Sequence, residues 1–230
     1  DDLAVAYAED GLANATVVVY RGAGRPAAPG VTREPFTVGR DVKVQEITVD
    51  VSLEWGSVVG SIADQNGDGA RELVFGDYRF LSDTGIVLII DGDTVGTAGV
   101  ARSDAPGVAL RTFVGANPGD HLGMAVVTDA AGVSPDVDGD GTEDLIVASR
   151  SPGTTQAVLD VRFGPTLAAA PDHTVTGPAG FQGTTPTNGG SPITAIVAGD
   201  VNADGLADVC WADWTSAGLD GGMELLSDGL

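Results

Sequence analysis

The sequence is poor in several kinds of residue, and each shortage narrows what the chain can be. Its 230 residues include one cysteine, one lysine, two histidines and only 5% aromatics. A lone cysteine excludes an internal disulfide. Between Val209 and Trp211, Cys210 reads as a small buried hydrophobe rather than a reactive thiol. His121 and His173 stand far apart, without the His/Cys/Asp grouping of a zinc site, and read as structural or surface residues. No run approaches the about 20 apolar residues of a membrane helix, so no membrane insertion is expected. A nucleophile elbow, a P-loop and a dinucleotide fingerprint are all missing. Positive charge is scarce too, with 33 acidic residues against 11 basic ones and a formal net charge of −22. Apart from Lys43 the cations are arginines. Such a field repels phosphate backbones and anionic lipid, and nucleic acid is not an expected partner.

Glycine (34 residues) and proline (12) are plentiful but scattered between short Val/Ile/Leu runs. That distribution predicts many tight turns between strands rather than disorder. No helical period is present. With 43% apolar residues the chain can bury a core.

The most informative stretch is Asp136-Val137-Asp138-Gly139-Asp140-Gly141-Thr142-Glu143-Asp144, which runs directly into Leu145-Ile146-Val147-Ala148. Carboxylates at positions one, three, five and nine, with the Thr142 carbonyl at position seven, match the oxygen-rich shell that calcium prefers. Gly141 permits the left-handed backbone that turns those oxygens inward. The pattern recurs as Asp64, Asn66, Asp68, Ala70 and Glu72, and again as Asp200, Asn202, Asp204, Leu206 and Asp208, where Ala70 and Leu206 contribute only their carbonyls. Three calcium ions are therefore expected. An Asp/Gly-rich segment is also the ordinary composition of a hairpin corner. Three copies with the same ligand positions and the same strand register favour the ion-binding reading. A helix-flanked EF-hand is excluded, because its twelfth loop residue must be acidic and here it is Phe75, Val147 or Trp211. Magnesium, with its stricter octahedral demand, fits less well than calcium.

The loops sit in a countable repeat, with starts at 64, 136 and 200. From the ninth loop position to the glycine closing the third strand is the same step in Asp2 to Gly22, Glu72 to Gly92 and Asp144 to Gly164, and one residue longer in Asp208 to Gly229. Units of about 1–52, 53–115, 116–180 and 181–230 follow, each with about four short strands. The predicted fold is all-β, built of propeller blades of antiparallel strands, about three and a half in number. Trp55, Trp211 and Trp214 read as blade-packing residues rather than a sugar-stacking platform. Counting strands gives three, four, four and three, and predicts an open arc in which the first and fourth units do not share a sheet.

A glycine-containing inner strand, an Asp/Asn loop and a Leu-Val-type strand together resemble the FG-GAP repeats of integrin α-subunit propellers and their bacterial and archaeal relatives. Gly119-Asp120-His121-Leu122-Gly123-Met124-Ala125-Val126 is similar to the segment that opens such a repeat, although Leu-Gly and Trp-Gly replace Phe-Gly. The resemblance implies part of a larger, usually seven-bladed, extracellular propeller, secreted or at the cell surface. It further implies a role in adhesion or surface assembly, with a protein or glycan ligand on the propeller face or neighbouring subunits as partners. A filament subunit and a part of a secreted polysaccharide- or lipid-degrading enzyme are the alternatives, and no catalytic residues are assigned.

Overall fold

The computed structural model describes residues 3–8, 15–20, 42–46, 58–92, 109–129, 132–150, 154, 156–177, 193–213 and 222–226. Asp2, Gly22, Trp55, Trp214 and Gly229 lie outside these. Fourteen described strands form four separate antiparallel sheets in chain order. The first contains β1 (Leu3–Ala8), β2 (Ala15–Tyr20) and β3 (Val42–Glu46). The second contains β4 (Val58–Ile62), β5 (Glu72–Asp77), β6 (Ile86–Ile90) and β7 (Ala109–Val114). The third contains β8 (Ala125–Val126), β9 (Leu145–Arg150), β10 (Ala157–Arg162) and β11 (His173–Thr176). The fourth contains β12 (Ile193–Gly199), β13 (Asp208–Asp213) and β14 (Gly222–Leu226). Each sheet is an up-and-down meander whose neighbours in sequence are neighbours in space. The expected strand count of three, four, four and three is what the described residues show, and the first and fourth sheets share no strand.

The continuous apolar run of β6 follows from burial on both faces. Val87 and Ile89 point into a core shared with the third sheet, while Ile86, Leu88 and Ile90 are buried on the other side. The third sheet divides its residues in the same alternating way, as strand geometry requires. Leu145 and Val147 meet Val74, Val87 and Phe113 of the second sheet. Ile146, Ala148, Leu159 and Val161 meet Val209 and Trp211 of the fourth. Trp211 is fully buried there, as a packing residue. Cys210, on the opposite face of β13, is half-buried rather than buried, because that face has no such core against it among the described residues.

Consecutive sheets are also tied near their first strands by backbone hydrogen bonds. The Ser61 N–H donates to the Gly132 carbonyl (2.7 Å), the Ser134 N–H to the Ser61 carbonyl (2.9 Å), and the Val197 N–H to the Thr128 carbonyl (3.1 Å). Gly123 of the repeat-opening segment has φ +92°, and a Cβ there would lie 2.8 Å from the Ile86 carbonyl oxygen. The glycine thus lets the third sheet's entry segment press against the second sheet.

Two local features escape pattern reading. At Phe80–Asp83 the β5–β6 connection makes a tight turn with positive φ at Leu81, Ser82 and Asp83, so it is not a right-handed helix despite its compactness. Strand β11, with pattern HTVT and three exposed residues of four, is an edge strand without apolar alternation.

His121 is 4% exposed, has φ +51° and stacks beside Tyr78 at 5.9 Å between ring centroids. Burial first, and then the Arg150 charge, push its pKa down to about 4. The unfolded chain therefore takes up this proton more readily than the folded one. The stability involved is fully present above the ordinary histidine pKa of about 6.5 and is lost as pH falls toward 4, by up to about 3 kcal/mol. His121→Asn, which tolerates the left-handed backbone, should flatten that dependence when melting at pH 7 and pH 4.5 is compared with wild type. Parallel pH profiles for the two proteins would contradict the assignment.

Candidate metal centre

All three loops share one wiring scheme. The first-position carboxylate faces the backbone of its own loop: Asp64 accepts N–H bonds from Gly67 (2.6 Å) and Gly69 (2.7 Å), Asp136 from Gly139 (2.7 Å) and Gly141 (3.0 Å), and Asp200 from Asp204 (3.1 Å) and Gly205 (3.0 Å). The fifth position caps the seventh. Asp68, Asp140 and Asp204 accept from the N–H groups of Ala70, Thr142 and Leu206, at 2.7, 2.7 and 2.8 Å. These Asx-type bonds explain why Asp, Asn and Gly dominate the loops. They also hold the Asp64 pKa below the usual carboxylate range, chiefly through Gly69, while the Asp140 pKa is lowered first by the Thr142 hydroxyl and then by the Thr142 N–H.

The ninth position behaves differently. Glu72, Asp144 and Asp208 are fully buried, whereas the carboxylates at positions one, three and five are exposed except for half-buried Asp136. Glu72 accepts from the Gln65 N–H (3.0 Å) and from the Gly92 N–H (2.9 Å). Asp144 accepts from the Val137 N–H (2.8 Å) and from the Gly164 N–H (2.8 Å). The constant step to a closing glycine, visible in the sequence, is therefore a hydrogen bond: one carboxylate straps the loop's second residue to the end of the third strand. Asp208 repeats the loop half of the strap, accepting from the Val201 N–H (2.6 Å). Its Oδ1 is buried without a partner among the described residues, and Gly229, twenty-one residues on, lies outside them. Sequence reading assigns this position to the ion alone and so misses its structural half.

Among the described residues one group of carboxylates gathers as a cation site would need. Oxygens of Asp136, Asp138 and Asp144 all lie within 4.8 Å of one another. Burial, followed by the charges of Asp138 and Asp136, pushes the Asp144 pKa up to about 6. A bound cation would relieve that like-charge repulsion, and the three oxygen donors suit a hard metal. Asp140, expected beside them, is not in this group and is turned to Thr142, whose hydroxyl also donates to it (2.5 Å).

The other two loops differ at one atom type. Asn66 and Asn202 occupy the third position, and their amide groups donate to Asp68 (2.9 Å) and Asp204 (2.8 Å). That contact occupies a carboxylate oxygen which, in the 136–144 loop, meets no such donor, because Asp138 has none to offer. Neighbouring loops also touch. Arg71 forms a two-pronged ion pair with Glu143, at 2.8 and 2.6 Å, linking equivalent positions of the second and third units. Both side chains are partly exposed, so the pair contributes little stability.

Residues 136–211 match the family model of the FG-GAP-like repeat. No curated protein matches the chain significantly. The matched segment begins at the first position of the 136–144 loop and ends at Trp211 in β13, so it joins two consecutive loops and the strands between them.

Proposed function

From an FG-GAP-like repeat over residues 136–211, a repeat typical of extracellular binding and adhesion modules, we propose that this chain is an extracellular, calcium-stabilised blade array with a binding or surface-assembly role rather than a catalytic one. The observation that supports it best is the convergence of Asp136, Asp138 and Asp144. Calcium at this point would bridge the loop to β9 and, through the Asp144 strap, to the end of β10. Loops 64–72 and 200–208 take the same ion more weakly, because each has one carboxylate fewer at the third position. The bound ions rigidify the unit rather than react. The partner is a protein or glycan ligand on the assembled face, or a neighbouring subunit.

Calorimetric titration of metal-free protein should show calcium binding with one tighter class of site, and up to three sites in all. Asp138→Asn should remove the tight class, leaving a chain whose loops are alike. Asp140→Ala and Asp204→Ala should lower thermal stability mainly in calcium, since ligand binding to the folded state adds about 2.7 kcal/mol at a hundredfold excess over Kd. Absence of both binding heat and a calcium-dependent rise in melting temperature, in millimolar calcium, would sink the reading.

A further inference from the structure

Between the second and third sheets, where β7 faces the β10–β11 hairpin, lies a cavity of ≈ 420 Å³. That size is typical of small-molecule sites. Arg162, at the end of β10, lines it and is 4% exposed. Its guanidinium carbon lies over the Phe113 ring, 4.6 Å from the centroid, while among the described residues Nε and Nη1 have no hydrogen-bond partner. A buried guanidinium with unmade bonds is costly. The Phe113 ring covers one side of the group, and the unmade Nε–H and Nη1–H bonds are charge-assisted donors that suit a carboxylate.

The remaining wall has complementary chemistry. Asp160 accepts from the Ser149 and Thr174 hydroxyls, each at 3.1 Å. Asp120 accepts from the Asn117 N–H at 2.7 Å. Both carboxylates keep lone pairs for further hydroxyl donors. Leu122 and Val158 supply apolar surface. We propose that this inter-sheet cavity is a binding site for a small hydroxycarboxylate of sugar-acid size, with Arg162 holding the carboxylate and Asp160 accepting from the ligand's hydroxyls. The two unmade donors of the buried guanidinium carry the assignment; the acceptors around it select a polyhydroxy acid over a simple one.

The test is titration of the full chain with glucuronate, glucose and acetate, following the nitrogen-15 and proton shifts of the Arg162 Nε–H. Glucuronate should move this resonance to saturation. Glucose lacks the carboxylate and acetate the hydroxyls, and each should bind at least about tenfold more weakly. Arg162→Met keeps an apolar stem over Phe113 and should abolish the binding without lowering the melting temperature, since it removes a buried charge with unmade hydrogen bonds. A resonance that glucuronate leaves in place overturns the proposal, as does glucose binding equal to glucuronate binding. Unchanged glucuronate affinity in folded Arg162→Met overturns it as well. Should that variant fail to fold, the wild-type titration decides alone. Repeating the series in chelator separates this site from the calcium loops: glucuronate binding by a chain that takes no calcium upholds this site alone.

Discussion

Asp144→Ala is expected to lower the unfolding free energy by about 3 kcal/mol or more, in chelator as well as in calcium. Its two oxygens each accept a backbone N–H, from Val137 and from Gly164, and the side chain is fully buried. Alanine would leave both N–H groups without their partner, and each unmet buried donor costs about 1 to 3 kcal/mol. In calcium the loss should grow, because the ion would also lose a ligand. Asp144→Asn should fall between, since an amide offers only one acceptor oxygen and presents donors toward N–H groups. Chemical denaturation of the variants in calcium and in excess chelator provides the comparison. A loss confined to calcium would make the ninth position a ligand only and would contradict the strap. Asp140→Ala is the control, for Asp140 is exposed and caps only its own loop.

The second large effect is expected at Gly92. A Cβ on this residue would lie 1.9 Å from the Arg71 carbonyl oxygen, which belongs to the backbone just before Glu72. Nothing in that contact is a flexible side-chain end, so the two backbone segments would have to part. Parting them breaks the Gly92 N–H bond to Glu72. Overpacking of this kind costs about 1 to 3 kcal/mol, and the lost bond to a buried carboxylate adds to it. Gly92→Ala should therefore melt well below wild type and be cut faster by protease near the second sheet. Gly67→Ala is the useful contrast. Gly67 also has to be a glycine for its φ of +83°, but no atom lies within 4 Å of its added Cβ, so the cost there is backbone strain alone. Equal losses at the two positions would show that the tight approach of Gly92 to Arg71 has no energetic weight.

Several features of this chain were legible in one dimension. The strands, their grouping into four units and the alternation of loop carboxylates all depend on local patterns of period two and on turn chemistry, which a sequence displays directly. Even the step from Glu72 to Gly92 and from Asp144 to Gly164 could be counted. The expected alikeness of the three loops was less secure. Position three alternates between Asp138 and Asn66 or Asn202, and an amide that donates to the fifth-position carboxylate draws that oxygen into a contact of its own. Edge strand β11 could be counted from the repeat but not placed, because an exposed polar strand has no hydrophobic period, and the left-handed turn at Leu81 to Asp83 carries no glycine to announce it.

By itself, then, the sequence determined the all-β class, the repeat length, the register of loop to strand and the family likeness, because each is written in residue spacing along one unit. Only the tertiary structure decided what a given polar side chain faces. Burial separates Asp144 from Asp140 although both belong to the same acidic loop: one lies beneath the loop where two backbone segments converge, the other at its exposed rim. Arg162 shows the same limit. Beside Val161 and Phe163 nothing in its sequence context marks it out, and it becomes a buried guanidinium with unmade hydrogen bonds only because a second sheet brings Phe113 against it. Spacing sets which residues share a face; the packing of one sheet on the next determines which of those faces water reaches, and with that the energetic weight of every charge they carry.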